Sequence, residues 1–191
     1  MPTSRFRPAA IAPRPASCYD AVVNSPVPDC RIAICCNDQG INAIHFLPQQ
    51  TPLQRPSPDS PRHNLINQAL SALEHYFNRP QTRCLLPLAA TGTVFQHRVW
   101  QAISAIPCGE TRSYGQLARE LNSSARAIGG ACRANPVPLL IPCHRVIAAN
   151  GQQGGFLGQN NSATTASEIK RWLLHHEAET ARPCSSMLIP A

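Results

Sequence analysis

The chain contains 191 residues, of which 43% are apolar and 14% are charged. This composition provides enough apolar side chains for a hydrophobic core in one domain or two small ones, and it excludes a highly charged disordered chain. The sequence contains no apolar run approaching the ~18 residues that a membrane-spanning helix needs. We therefore expect no membrane association, and we expect no secretory signal because the first residues lack an apolar segment.

The charge and the cysteines indicate a basic protein in a reducing compartment. Lysine and arginine together number 17 against 10 acidic residues, which gives a net charge of +7, and Lys170 is the only lysine. A basic surface either binds phosphate groups or merely keeps a protein in solution, and the charge alone does not separate these interpretations. The nine cysteines are an odd number for a full set of disulfides, so we expect free thiols and a cytoplasmic location.

The first half of the chain predicts a short tail followed by a small α+β domain. Residues 1–17 are rich in proline and arginine and contain no acid, which predicts a disordered tail. Residues 18–90 combine strand patterns with one helical pattern, which is typical of an α+β domain. Its predicted elements are a hairpin of strands over 31–36 and 41–47, a loop over 49–61, a helix over 64–78 and an edge strand over 84–88.

The second half has a different pattern, that of short helices with tight turns, and predicts a second domain over 93–180. Three successive short helices suggest a helix-turn-helix, and the remainder, 181–191, is expected to fray. The predicted elements are helices over 93–106, 113–122, 125–135 and 167–179 and an extended segment over 136–151. Ser113 is the expected N-cap of the second helix, Ser123 or Ser124 that of the third, and Ser167 that of the last.

The densest chemical cluster is the run Pro142-Cys143-His144-Arg145-Val146. An imidazole and a guanidinium beside a thiol are expected to lower the pKa of Cys143 and to favour its nucleophilic thiolate. In an extended segment, the side chains of Cys143 and His144 would point to opposite faces and would need a bridging water. A buried cysteine beside a surface histidine remains the alternative interpretation.

The third predicted helix, residues 125–135, carries small residues on nearly every side. Alanine and glycine dominate it, and its only charges are Arg126 and Arg133. Helices that read base edges in the major groove carry several Asn, Gln and Arg side chains, whereas a slim helix with Arg126 and Arg133 allows close approach to a minor groove and its phosphates. Tight packing against other helices explains the small residues equally well, and the pattern alone leaves both open.

Four stretches in a fixed order resemble a known family. They are IPCGETRSYGQLA (106–118), ARAIGGACRANPVPLLIPCHRVI (125–147), GGF (154–156) and KRWLLHHEAE (170–179). Over residues 95–179 the sequence resembles the O6-alkylguanine-DNA alkyltransferase family, also called methylated-DNA–protein-cysteine methyltransferases. The resemblance implies a ribonuclease-H-like N-terminal domain and a winged-helix-like C-terminal domain that binds DNA and carries catalysis.

The resemblance also implies an activity. It is direct repair by irreversible transfer of the alkyl group of O6-alkylguanine, and less efficiently of O4-alkylthymine, from double-stranded DNA to Cys143. Each molecule would act once, as a monomer and without a cofactor. The rival functions are a non-catalytic lesion-binding protein, a helix-turn-helix regulator and a cysteine hydrolase.

Residue roles follow from the same resemblance. Cys143 would accept the alkyl group, His144 would act as the base through water, and Glu177 would orient the imidazole. Tyr114 would help to rotate the nucleotide and would donate to guanine N3, and Lys170 would complete the catalytic set. The DNA-binding residues would be Tyr114, Ala125, Arg126, Ala127 and Arg133, with Arg126 filling the space left by the flipped base. The guanine pocket would be lined by Cys132, Asn135, Pro138, Val146, Phe156, Leu157 and Gly158.

Without the resemblance, three of these residues have ordinary structural interpretations. Glu177 would be a solvated acid at a helix end, Tyr114 a core tyrosine near a helix start, and Asn135 a helix C-cap. The chain also departs from the family in a longer polar segment over 158–167, which puts the roles of Leu157 and Gly158 in doubt. We expect no metal, because the spacing of Cys18, Cys35, Cys36, His45 and Cys84 fits no zinc pattern.

Overall fold

A computed structural model describes residues 18–81, 86–151, 156 and 166–181. The predicted tail over 1–17 lies outside this range, as does the predicted tail over 181–191 except for Ala181, which is the last residue of a helix. The described chain combines an antiparallel sheet and one helix with a second group of four helices, so the α+β prediction is confirmed. None of the helices in these residues is both long and apolar enough to cross a membrane.

The N-terminal sheet has three antiparallel strands in the order β1 (Ala21–Asn24), β2 (Cys30–Asn37) and β3 (Gly40–Pro48). The predicted hairpin is confirmed, because β2 and β3 pair from Cys30 opposite Pro48 to Asn37 opposite Gly40. The side-chain oxygen of Asn37 closes the turn by accepting hydrogen bonds from the amides of Gln39 and Gly40. Gly40 has a φ of 150°, and a Cβ there would come within 2.3 Å of the Pro87 carbonyl oxygen, so only glycine fits.

Helix α1 (His63–Asn78) packs Ile66, Ala69 and Leu73 against one face of this sheet. It ends before Arg79 and Pro80 as predicted. The expected edge strand over 84–88 is wrong within its described part, 86–88. Only Leu88 pairs there, in a single parallel bridge to Ile41, since Pro87 has no N–H to extend the ladder. Residues 84 and 85 lie outside the described range.

The C-terminal half places three short helices in succession, each begun by a hydroxyl side chain. They are α2 (Val94–Ser104), α3 (Tyr114–Glu120) and α4 (Ala125–Arg133). Thr93 and Ser113 form capping boxes with the third residue of α2 and α3, and Ser124 accepts from the Ala127 amide at the start of α4. The predicted caps Ser113 and Ser124 are therefore confirmed.

A short parallel pairing and a last helix complete the fold. Strand β4 (Arg112–Ser113) pairs with β5 (Val146–Ile147), and α5 spans Ala166–Ala181. The expected cap Ser167 is wrong, because the helix begins at Ala166 and Ser167 is its second residue. The fully buried Ile169 and Leu173 of α5 join the same core cluster as the N-terminal sheet, so both halves share one hydrophobic core.

Candidate active site

Cys143 lies in a buried 3-10 turn, Cys143–Arg145, at the end of a proline-rich loop. Its amide donates to the Ile141 carbonyl over 2.8 Å, and Leu139 adopts a left-handed φ of 75°. The expected extended conformation over 136–151 is therefore wrong for most of this segment, of which only β5 (Val146–Ile147) is a strand. The prolines of this loop lack the N–H groups that a ladder needs, so the backbone turns instead.

His144 is fully buried beside Cys143, which rules out a surface histidine. Its Nε2 lies 2.7 Å from Oε1 of Glu177 on α5. Among the described residues, its Nδ1 has no hydrogen-bond partner. Burial lowers the pKa of His144 despite the opposing effect of Glu177, so the ring is neutral near pH 7. A neutral imidazole whose Nε2–H donates to a carboxylate carries its free lone pair on Nδ1, where a base needs it.

Glu177 is only 1% exposed, so the interpretation as a solvated helix-end acid is wrong. Oε1 accepts hydrogen bonds from Tyr76, His144 and Arg145, and Oε2 accepts from Arg145 and the Gly109 amide. Burial alone would raise the pKa of Glu177, but the hydrogen bonds and charges of His144 and Arg145 outweigh it and hold the pKa well below its usual range. The carboxylate stays ionised and fixed in orientation.

The thiol of Cys143 is protonated at neutral pH. Burial raises its pKa to about 11, although the Asn135 hydrogen bond and the charge of Lys170 act in the opposite direction. The expectation that His144 and Arg145 lower this pKa is therefore wrong, because His144 is neutral and Arg145 is bound to Glu177. Forming the thiolate requires a base at the moment of reaction.

Lys170 is fully buried on α5 and donates to the Val146 carbonyl over 2.6 Å. Its Nζ lies 5.8 Å from the centroid of the Tyr114 ring. Burial lowers the pKa of Lys170 to about 8, and burial raises that of Tyr114 to about 12. Tyr114 is only half-buried at the first position of α3, so it is not a closed core tyrosine.

The described residues expected in the pocket are all buried: Cys132, Asn135, Pro138, Val146 and Phe156. Asn135 connects the loop to the thiol, because its Nδ2 lies 2.8 Å from the Ile141 carbonyl and 3.2 Å from Sγ of Cys143. It is not the C-cap of α4, which is Ala134. The Phe156 ring stands edge-on to His144, with ring centroids 6.4 Å apart. Leu157 and Gly158 lie outside the described residues.

Helix α4 presents a slim, positively charged face. Ala125, Arg126 and Arg133 are exposed, and Ala127 is half-exposed. A Cβ at the exposed Gly130 would meet nothing within 4 Å, so helix packing does not require glycine there. Tight packing does explain the small side chain of Ala131, which is buried where α4 contacts Trp100 of α2. The surface that remains open is suited to approach by a phosphate backbone.

Sequence reasoning missed Tyr76, Gly109 and the role of Arg145 in this site. Arg145 was named only as a neighbour of the thiol, yet it is buried and also donates to the Ile106 carbonyl. The position of Arg145 directly after His144 is the sequence signal that could have indicated its role in the site. Tyr76 comes from α1, 68 residues before His144, and no local pattern connects the two. Within the described part of the chain, no three His, Cys, Asp or Glu side chains are grouped to hold a metal ion.

Comparison with known families covers both halves of the chain. Residues 18–90 match the ribonuclease-like domain of 6-O-methylguanine DNA methyltransferase. Residues 94–179 match the DNA binding domain of the same group.

Individual relatives agree with these matches. A Methanosarcina mazei protein named methylated-DNA--protein-cysteine methyltransferase is 32% identical over 161 residues, which cover 83% of this chain and 96% of that protein. A Cricetulus griseus protein of the same name is 37% identical over 172 residues, which cover 80% of this chain and 79% of that protein. The crystal structure of Mycobacterium tuberculosis O6-methylguanine methyltransferase has a TM-score of 0.66 at 32% identity, covering 84% of this chain and 93% of that one. A structure of the Mycobacterium tuberculosis protein in complex with DNA has a TM-score of 0.64 at 33% identity, covering 84% and 92%.

Proposed function

The chain belongs to the methylated-DNA–protein-cysteine methyltransferase family, and from this premise we propose that Cys143 is the cysteine that receives the alkyl group. The enzyme binds DNA and repairs it directly by alkyl transfer to a cysteine of its own. The observation that carries the assignment is the buried 2.7 Å contact between His144 and Glu177 next to the Cys143 thiol. This arrangement supplies a nucleophile, a base and a group that orients the base.

The proposed substrate is O6-alkylguanine in double-stranded DNA, with O4-alkylthymine as a poorer one. Nδ1 of His144 takes the thiol proton through water, and the Cys143 sulfur attacks the alkyl carbon on guanine O6. The new S–C bond forms as the C–O bond breaks, and the bonding electron pair stays on the purine oxygen. Tyr114 donates to guanine N3 and so stabilises the charge that develops on the leaving base. In the net reaction the alkyl group moves from guanine O6 to the Cys143 sulfur, and the proton lost by the thiol ends on the repaired guanine.

The remaining residues bind DNA and shape the guanine pocket. Ala125 and Ala127 let α4 approach the groove closely, Arg133 binds phosphate, and Arg126 fills the place of the flipped nucleotide. Asn135 holds the loop and the thiol together, and Lys170 fixes the Val146 carbonyl. Cys132, Pro138, Val146 and Phe156 line the pocket with Leu157 and Gly158.

Each molecule reacts once, because the S–C bond of a thioether is stable to water, even to water beside a base. We propose that the protein acts as a monomer, without a cofactor, with domains over 18–90 and 93–180. The seven cysteines that the structure describes are all free thiols, which supports a reducing compartment such as the cytoplasm. A non-catalytic lesion binder or a regulator has no use for this buried thiol and its base.

Intact-protein mass after incubation with duplex DNA containing O6-methylguanine tests the assignment. The wild-type protein should gain the mass of one CH2 group and keep it, and Cys143→Ser should gain none while still binding the lesion. Cys18→Ser, which removes an exposed thiol, should react like the wild type. Alkylation of the Cys143→Ser variant on another cysteine would make the assignment wrong. Tight lesion binding by an unmodified wild-type protein would indicate the non-catalytic binder.

A further inference from the structure

Tyr76 connects the N-terminal domain to the candidate catalytic groups. It lies near the end of α1, and its hydroxyl donates to Oε1 of Glu177 over 2.8 Å. The same hydroxyl oxygen lies 3.4 Å from Nε2 of His144. The oxygen of a hydroxyl that donates to one group still accepts from another, so Tyr76 contacts both partners of the His144–Glu177 pair.

Aromatic packing holds the Tyr76 hydroxyl at this point. The Tyr76 ring stands edge-on to Phe77, His144 and His176, with ring centroids 5.2, 6.5 and 5.9 Å away. Burial raises the pKa of Tyr76 well above its usual value, so the hydroxyl keeps its proton and remains a donor at every pH at which the protein works.

We propose that Tyr76 is a positioning residue for alkyl transfer, which acts through Glu177 to keep His144 a neutral base in the correct orientation. This inference rests on the proposed function of Cys143 and His144. A hydroxyl that donates to Oε1 draws negative charge away from the oxygen that also accepts from the imidazole. Glu177 therefore holds His144 in place without stabilising the imidazolium so strongly that the ring binds a proton. The N-terminal domain thus contributes to catalysis as well as to the core.

The charges around His144 determine in which direction its pKa changes when the Tyr76 hydroxyl is removed. Glu177 on α5 favours the charged ring, whereas Arg145 of the same turn and Lys170 on α5 disfavour it. Cys143 is a neutral neighbour at neutral pH, and the neutral thiol of Cys108, after α2, interacts with both Glu177 and Tyr76. Removing the Tyr76 hydroxyl leaves more charge on Oε1 of Glu177, so the pKa of His144 should rise.

The substitution Tyr76→Phe keeps the ring and removes only the hydroxyl. Transfer from free O6-benzylguanine would be measured under single-turnover conditions across pH. At neutral pH the rate should fall roughly tenfold, the size of loss expected when a buried carboxylate loses one hydrogen bond. The acid limb of the pH profile should move to higher pH, because protonated His144 cannot take the thiol proton. Tyr19→Phe, in a separate apolar cluster behind the sheet, is the matched control and should leave the profile unchanged.

Two further measurements separate this role from a structural one. In a Glu177→Gln background, Tyr76→Phe should have little additional effect on the rate, since the hydroxyl acts through the carboxylate. An NMR titration of the His144 ring, which needs no activity, should show a higher pKa in Tyr76→Phe than in the wild type. A slower rate with an unmoved acid limb and an unmoved titration would overturn the inference. A wild type that fails to transfer at all would instead overturn the proposed function, whatever the titration shows.

Discussion

At the scale of single residues, burial shifts the pKa values of two groups in the site away from their usual values. Cys143 is a neutral thiol with a pKa of about 11, and Lys170 is a fully buried amine with a pKa of about 8. A protonated thiol is a poor nucleophile towards chance electrophiles, which suits a residue that reacts only once. We propose that the thiolate forms only when His144 removes its proton, which would couple reactivity to the geometry of the pocket.

The buried amine of Lys170 makes a testable contribution to stability. Its pKa is about 8 in the folded protein and 10.5 in an exposed lysine. Between these two pH values the unfolded chain binds one more proton than the folded chain, so this group makes the protein more stable as pH rises. Below pH 8 both states carry the charge, and the folded state bears the cost of burying it in full.

The unfolding free energy of Lys170→Met should therefore change relative to wild type with pH. As pH rises from 8 to 10.5, the wild type should gain stability over the variant by up to about 1.4 kcal/mol per pH unit. Urea unfolding at several pH values measures this difference. Arg171→Met removes an exposed charge at the next position and should show no such trend. A constant difference between Lys170→Met and wild type across the window would mean that Lys170 titrates as an exposed lysine.

At the scale of elements, the sequence predicted those helices and N-caps that depend only on neighbouring residues. The helices α1 and α2 were predicted from the spacing of their apolar residues, and both are confirmed. The caps Ser113 and Ser124 were predicted from hydroxyl residues next to the helix starts, and both are confirmed as well. Ser167 failed as a cap because Ala166 already continues the helix, which a preference for serine at a helix start does not reveal. Such a preference does not place the boundary to within one or two residues.

Local sequence patterns could not predict the conformation of the loop before Cys143 or the hydrogen-bond donors to Glu177, for different reasons. Proline at alternate positions resembles an extended segment, yet the left-handed Leu139 and the 3-10 turn arise because this loop packs in the core. Tyr76 reaches Glu177 across 101 residues of sequence, so only the fold brings them together. The local run 142–146 already indicates Cys143 and His144 as a nucleophile beside a base, whereas the role of Glu177 follows only from the family resemblance. The geometry of all three became known only from the structure.

The proposed DNA-binding role of α4 can be tested at Arg126. It is exposed on the slim face, and we expect it to occupy the space vacated by a flipped nucleotide. Arg126→Ala should therefore slow transfer from duplex DNA far more than transfer from free O6-benzylguanine, which needs no flipping. Both rates would be measured under single-turnover conditions with saturating substrate.

Arg133→Ala is the matched control, because it removes the other exposed arginine of the same helix. At saturating DNA it should leave the ratio of the duplex and free-base rates near that of the wild type. Tyr114→Ala should impair both substrates, since its hydroxyl serves the leaving base in either reaction. Equal losses of Arg126→Ala on duplex and free base would mean that this arginine supports the fold or the pocket, and the flipping role would have to be dropped.

At the scale of the whole molecule, part of the positive charge behind the net +7 lies on the helices proposed to meet DNA. Arg119, Arg126 and Arg133 are exposed on the two helices α3 and α4, and the candidate active site lies behind them in the shared core. Binding by arginine to phosphates supplies affinity without reading sequence. Repair requires this combination, because a lesion arises in any sequence context.

The affinity for duplex DNA should consequently fall with salt and depend little on the sequence around the lesion. If Arg119 and Arg133 each neutralise one phosphate, a plot of log K against log salt should have a slope of about −2. Arg133→Ala should make that slope shallower by about one unit, whereas Arg55→Ala, in the exposed loop after β3, should leave it unchanged. Fluorescence anisotropy with labelled duplexes of several unrelated sequences measures both properties. A strong preference for one operator-like sequence would contradict this account of α4, because the helix carries no side chain suited to read base edges other than its two arginines.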